Sequence, residues 1–243
     1  MNPIAPMDSL LDLALPGVAA ERAKALLVML PGAYDTPQDF IREGFVAAVR
    51  ERHLAVDLQL VDAHVGYYTQ QTILERLHHD VMEPAREQGY EQIWLAGISI
   101  GGMGSLVYGA TYPAGISGVV ALAPYLGPRN ISADVVRAGG LAQWPSQGQT
   151  LPEDDVDRRL WQWLKSQADP AAAQTLPPLY WGYGLSDRFA MGHTVVAQSL
   201  PPGRVFTVDG GHDWPAWIAL WRQMLDKLPL PVAPSGTTDL PLR

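Results

Sequence analysis

Short, wholly apolar runs alternate along this chain with longer segments in which apolar positions recur every three or four residues. Ala25 to Leu30 is apolar throughout and stops at Pro31-Gly32, the pattern of a strand covered on both faces. Thr36, Pro37 and Asp39 follow as a helix start, and the helix they open is expected to put Ile41, Phe45, Ala48 and Arg52 on one face. Val56 to Val61 predicts the next strand. A helix from Thr72 to Glu87, with Ile73, Leu77 and Val81 inward, is expected to kink or end at Pro84. Gln92 to Ile98 is a strand again, followed by a helix carrying Met103, Leu106, Val107 and Ala110, and then by a strand over Val119 to Ala123. Strands and amphipathic helices in alternation build an α/β domain with a mostly parallel, doubly wound sheet and helices on both faces.

From 125 to 175 the rhythm breaks. The segment holds Gly139-Gly140, an acidic run at Glu153 to Asp155, and Trp144, Trp161 and Trp163; it predicts a helical lid insertion over the sheet. Alternation resumes with a strand at Leu179 to Tyr183, a helix near Phe189 to Ser199, a strand at Arg204 to Val208 and a last helix bearing Trp217, Ile218, Trp221 and Leu225. Residues 229–243 form a Pro-rich tail expected to be extended or loosely attached. All 243 residues are expected to make one domain.

Composition narrows the function. Apolar residues make up 47% and charged residues 17%, enough for a sizeable core, and the absence of cysteine removes disulfides, thiolate nucleophiles and cysteine-based zinc sites. A net charge of -8 argues against nucleic acid as a partner. No apolar run approaches the ~18 residues of a membrane span. The first twenty residues hold no Lys or Arg, and Pro6, Asp8, Asp12 and Pro16 interrupt them, so the expected location is cytoplasmic.

The chemistry centres on Gly97-Ile98-Ser99-Ile100-Gly101, which lies where a buried strand hands over to a helix. A sharp turn there strains its central residue, and small neighbours on each side let the chain pass without clashes, lifting the Ser99 hydroxyl to a helix N-terminus. A serine needs a base. Of six histidines, His53, His64, His78 and His79 read as surface positions, the last two diverging by about 100° around a helix and so unsuited to chelation. His193 is a minor candidate. His212 follows the last strand on a flexible Gly210-Gly211 pair at the edge where ligands bind in such folds, and is the expected base. Asp187, one helix and one strand earlier, should emerge at the same edge and orient the imidazole; Asp209 and Asp213 are explained by turn formation and helix capping. The backbone N–H of Ile100 and that of Ala33 in the loop after the first predicted strand are the candidate oxyanion donors, with Tyr34 close behind.

Strand-Pro-Gly, G-x-S-x-G, a late Asp and a final Gly-His in this order resemble the α/β-hydrolases, of the small serine carboxylesterase type, over about Leu26 to Leu228. The resemblance implies a triad of Ser99, Asp187 and His212 and a small-molecule ester substrate, with no cofactor and no metal. Many relatives have His-Gly where this chain has Pro31-Gly32. Tyr34, Tyr67, Tyr68, Met103, Tyr125 and Trp214 are the pocket candidates and would favour an apolar or aromatic substrate group. Acyl transfer, a lyase reaction or non-catalytic binding on the same scaffold are the competing functions; oligomeric state is left open.

Overall fold

The computed structural model describes residues 6–14, 23–145 and 155–233. Its strands are β1 (Ser9–Asp12), β2 (Ala25–Leu30), β3 (Val56–Val61), β4 (Gln92–Ile98), β5 (Gly118–Leu122), β6 (Leu179–Gly184) and β7 (Val205–Val208). Helices α1 (Pro37–Arg42), α2 (Phe45–Arg50), α3 (Val65–Thr69), α4 (Ile73–Leu77) and α5 (Glu83–Glu87) lie in the first half of the chain. They are followed by α6 (Ile100–Thr111), α7 (Arg129–Arg137), α8 (Val156–Ala168), α9 (Ala190–Ala197) and α10 (Trp214–Leu225). The strands form one sheet in the order β1-β3-β2-β4-β5-β6-β7, parallel except for β1, which pairs antiparallel with β3. That edge strand, SLLD, is too short for its alternation to stand out in the sequence.

Strand period two divides the core into layers. Ala25, Leu27 and Met29 of β2 pack with Phe40, Phe45, Leu220 and Trp221, from α1, α2 and α10. Leu26, Val28 and Leu30 point the other way, against Leu77 and Val81 and the far face of α6 at Tyr108. Farther along that second face, Leu106 of α6 joins Trp161 and Leu164 of α8, Val195 of α9 and Trp181 of β6. The described part of the 125–175 segment is therefore packed into the core through α8, whose first turn reaches the rim beside Ser99; residues 146–154 lie outside the described residues. Among the described residues no helix is long and apolar enough to cross a membrane.

Two local expectations are corrected and a third is sharpened. Ile41 is 52% exposed and Phe40 takes the buried place, because Gly44 adopts φ 84° and splits the predicted helix into α1 and α2, resetting its phase. The helix of 72–87 runs on through Pro84; the preceding turn, His78–Met82, is π-helical, and such a wider turn accommodates a residue that cannot donate to the usual ladder. The described start of the tail is extended but anchored: Leu230 is buried, Val232 bridges Leu54, and Ala233 N–H donates to the His53 carbonyl at 2.8 Å.

One buried carboxylate ties the sheet edge to the core. Asp57 of β3 is fully buried and accepts from Tyr90 Oη–H at 2.8 Å and from Ala14 N–H at 2.8 Å. Tyr90→Phe leaves that charge with one donor fewer and is expected to cost about 1–3 kcal/mol of stability in urea unfolding; an unchanged unfolding midpoint would mean that the bond contributes nothing.

Candidate active site

Strand β4 ends at Ile98, and Ser99 sits at the N-cap of α6 with φ 53° and ψ −115°, a conformation rare for a residue with a side chain. The flanking glycines explain how it is tolerated. A Cβ on Gly97 would lie 2.1 Å from the Gly101 carbonyl oxygen, and a Cβ on Gly101 would lie 2.2 Å from that of Leu30, at the end of β2. Gly102, the third glycine of the stretch, leaves room for Pro124, whose Cβ would be 2.8 Å away. The turn is held on both sides, since Ser99 N–H donates to the Leu122 carbonyl at 3.0 Å and Ser99 O accepts from Tyr125 N–H at 2.8 Å.

Two further loops converge on it. Gly184 and Gly210 let the chain after β6 and the chain after β7 touch: a Cβ on Gly184 would fall 2.5 Å from Gly210 O, and Ser186 N–H donates to that oxygen at 2.9 Å. Asp187 thus stands beside His212. The imidazole Nδ1–H donates to Asp187 Oδ2 at 2.7 Å, and Nε2 accepts from Ser99 Oγ at 2.9 Å. Phe189 and Trp217 meet the imidazole edge-on, with ring centroids 5.2 and 5.1 Å away. Neither aromatic was singled out from sequence as part of the site: Trp217 reads as one member of a core stripe, and Phe189 only as the start of a helix.

Asp187 is buried, and burial alone would raise its pKa; hydrogen bonds from His212 and from Phe189 N–H at 2.8 Å more than offset this and hold the carboxyl below its usual range. The other polar candidates are occupied elsewhere. His193 is buried with Nε2–H on the Pro124 carbonyl at 2.9 Å, and burial lowers its pKa, so it stays neutral near pH 7. Asp213 caps α10, accepting from Ala216 N–H at 3.2 Å, while Asp209 is exposed. His64 caps α3 through its Nδ1, which accepts from Gly66 N–H at 3.1 Å.

Ile100 begins α6, so its N–H has no carbonyl to bond within the helix. Gly32 stands beside the serine, where a Cβ would be 3.9 Å from Ser99 Cβ; the N–H groups of Ala33 and Tyr34, next in that loop, make no hydrogen bond among the described residues. Of the six pocket candidates, Tyr68, Met103 and Tyr125 line a cavity of about 340 Å³, walled also by Ile100, Leu74 and Val107. The other three lie elsewhere. The Tyr34 side chain is 95% exposed. Tyr67 packs on His64 with ring centroids 4.5 Å apart, because neighbours on one short helix cannot both face the cavity. Trp214 packs among Phe40, Phe45 and Trp217.

The expectation that His78 and His79 diverge is corrected as well. The π-helical turn changes the angular step, and a nitrogen from each and a carboxylate oxygen of Glu83 lie within 4.8 Å of one another, a set that could hold a divalent cation. His78 Nδ1 is hydrogen-bonded to Tyr108 Oη at 2.9 Å.

The Esterase family matches residues 61–228 of the chain. No curated protein matches it in sequence. Among solved structures, Est1E from Butyrivibrio proteoclasticus superposes with a TM-score of 0.58 at 18% identity, over 91% of this chain and 94% of its own. The S-formylglutathione hydrolase of Staphylococcus aureus gives 0.57 at 13% identity, over 83% of this chain and 79% of its own. A ferulic acid esterase gives 0.56 at 16%, covering 90% and 97% of the two chains. At these identities the likeness is one of fold.

The depressed pKa of Asp187 sets a pH dependence. Free Asp titrates near ~3.9, so the contribution of this carboxylate is complete above that pH and is lost as pH falls through the lower folded value. The stability gap between wild type and Asp187→Asn, read by urea unfolding, is expected to shrink as pH drops below about 4; a constant gap across that range would exclude a linked titration at Asp187.

Proposed function

The chain belongs to the Esterase family and has the α/β-hydrolase fold, and on that premise we propose that it hydrolyses small carboxylic esters or thioesters through an acyl-enzyme formed on Ser99. One observation carries this reading: Ser99, His212 and Asp187, from three distant segments, make a continuous hydrogen-bonded line of 2.9 and 2.7 Å. In that line each group has a role that elementary chemistry requires.

Ser99 Oγ attacks the ester carbonyl carbon while its proton passes to His212 Nε2. The imidazolium that forms is stabilised by the Asp187 carboxylate on Nδ1–H. Negative charge moves to the former carbonyl oxygen, where the N–H groups of Ile100 and Ala33 and the N-terminal end of α6 receive it. Collapse expels the alcohol or thiol, which takes the proton from His212. Water then attacks the acyl-enzyme, giving a proton to His212; the second collapse frees the acid and returns the proton to Ser99 Oγ. Every proton and electron pair is accounted for by the three side chains and water, so the cycle needs no cofactor.

Turnover of p-nitrophenyl acetate and butyrate tests the reading. Ser99→Ala is expected to lower kcat by at least about a thousandfold, and Asp187→Asn by on the order of 10⁴ with the fold retained. Loss of labelling by a fluorophosphonate in Ser99→Ala would identify the nucleophile. Equal rates in wild type and Ser99→Ala would remove Ser99 from the reaction.

A further inference from the structure

The cavity of about 340 Å³ shares its wall with the serine: Ile100, Met103 and Gly104 belong to the first turns of α6, and Tyr125 donates its N–H to Ser99 O at 2.8 Å. Most of the lining is apolar. Two acidic residues, Asp155 and Asp157, line it from the start of α8, and among the described residues no Lys, Arg or His lines the space. The two acids differ in one respect. Asp155 is committed to its own helix, accepting from Arg158 N–H at 3.1 Å and lying 3.7 Å from Arg158 Nε. Asp157 is half-buried, packs its carboxylate where a Cβ on Gly127 would be 2.6 Å away, and has no hydrogen bond or ion pair among the described residues.

A first-turn position accounts for an acidic residue; it does not account for a carboxylate that is half-buried and, among the described residues, without a hydrogen-bond or ion-pair partner to offset the hydration it loses. A second polar group in the same wall is also unmatched: the Tyr68 hydroxyl is buried against Gly104, 2.6 Å from where its Cβ would be, with no hydrogen-bond partner among the described residues.

We propose that this cavity is the recognition site for a cationic group on an apolar substrate, with Asp157 as the anchoring carboxylate. That the occupant is one portion of the ester cleaved at Ser99 rests on the hydrolase reading. Burial, with Asp155 adding its charge, pushes the Asp157 pKa upward, and a bound ammonium relieves both effects while an anion aggravates them. The substrate class that follows is an amino-bearing aromatic or alkyl ester, not a carboxylate-bearing one.

Calorimetric titration with phenethylammonium, phenethyl alcohol and phenylacetate separates this proposal from catalysis. The ammonium is expected to bind at least about tenfold more tightly than the alcohol, the advantage of a charge-assisted contact, and phenylacetate more weakly than either. Asp157→Asn should bring the ammonium and the alcohol to within about twofold, while Asp155→Asn, which keeps a good helix cap, should leave the preference in place. Equal binding of the two ligands by wild type, or a preference that survives Asp157→Asn, overturns the assignment. A preference that depends on Asp157 in a protein without esterase turnover would uphold the cation site and sink the hydrolase reading instead.

Discussion

The whole site depends on one backbone constraint: the left-handed turn at Ser99, where β4 ends and α6 begins. The conformation, φ 53° and ψ −115°, is unfavourable by itself and persists because the surroundings over-determine it. Strand β4 has hydrogen-bonded neighbours on both sides, β2 and β5, and α6 packs over them through Leu106 and Tyr108. The chain must therefore reverse direction within a single residue. Gly97, Gly101 and Gly102 are required because carbonyl groups and Pro124 occupy the volume that their side chains would need.

That turn has electrostatic consequences. It presents the hydroxyl at the N-terminus of a twelve-residue helix, where unpaired N–H groups and the helix dipole favour negative charge. Opposite it, the imidazole of His212 is nearly closed off from solvent, between Phe189 and Trp217, with a fully enclosed carboxylate behind it. Low exposure strengthens both hydrogen bonds in the line, and it makes Asp187 depend on the donors around it. The neighbouring cavity differs in character: mostly apolar walls from α3, α4 and α6, with Asp155 and Asp157 from the start of α8. Reaction chemistry and substrate selection would thus be assigned to different elements that meet at one serine.

Strands buried on both faces were the most legible part of the sequence, because an uninterrupted apolar run such as ALLVML or QIWLAGI has few other uses. Helix phase was less legible. Gly44 and the π-helical turn at His78–Met82 each shift the register of side chains, and neither shift leaves a periodic signature: one exposed Ile41, the other drew His78, His79 and Glu83 together. Pocket walls were the least legible, since Tyr34, Tyr67 and Tyr68 are alike in sequence and are separated only by which way a loop or a single helical turn faces.

By itself the sequence determined the layer architecture, the strained strand-to-helix turn and the chemical types at the sheet edge, because these follow from local periodicity and from the steric needs of glycine. Only the tertiary structure decided that a hydroxyl, an imidazole and a carboxylate from three separate loops lie within hydrogen-bonding distance, that Phe189 and Trp217 flank the ring, and that Asp157 lines the neighbouring cavity. Distances between segments remote along the chain are set by how whole layers pack, and no window of the sequence contains that information.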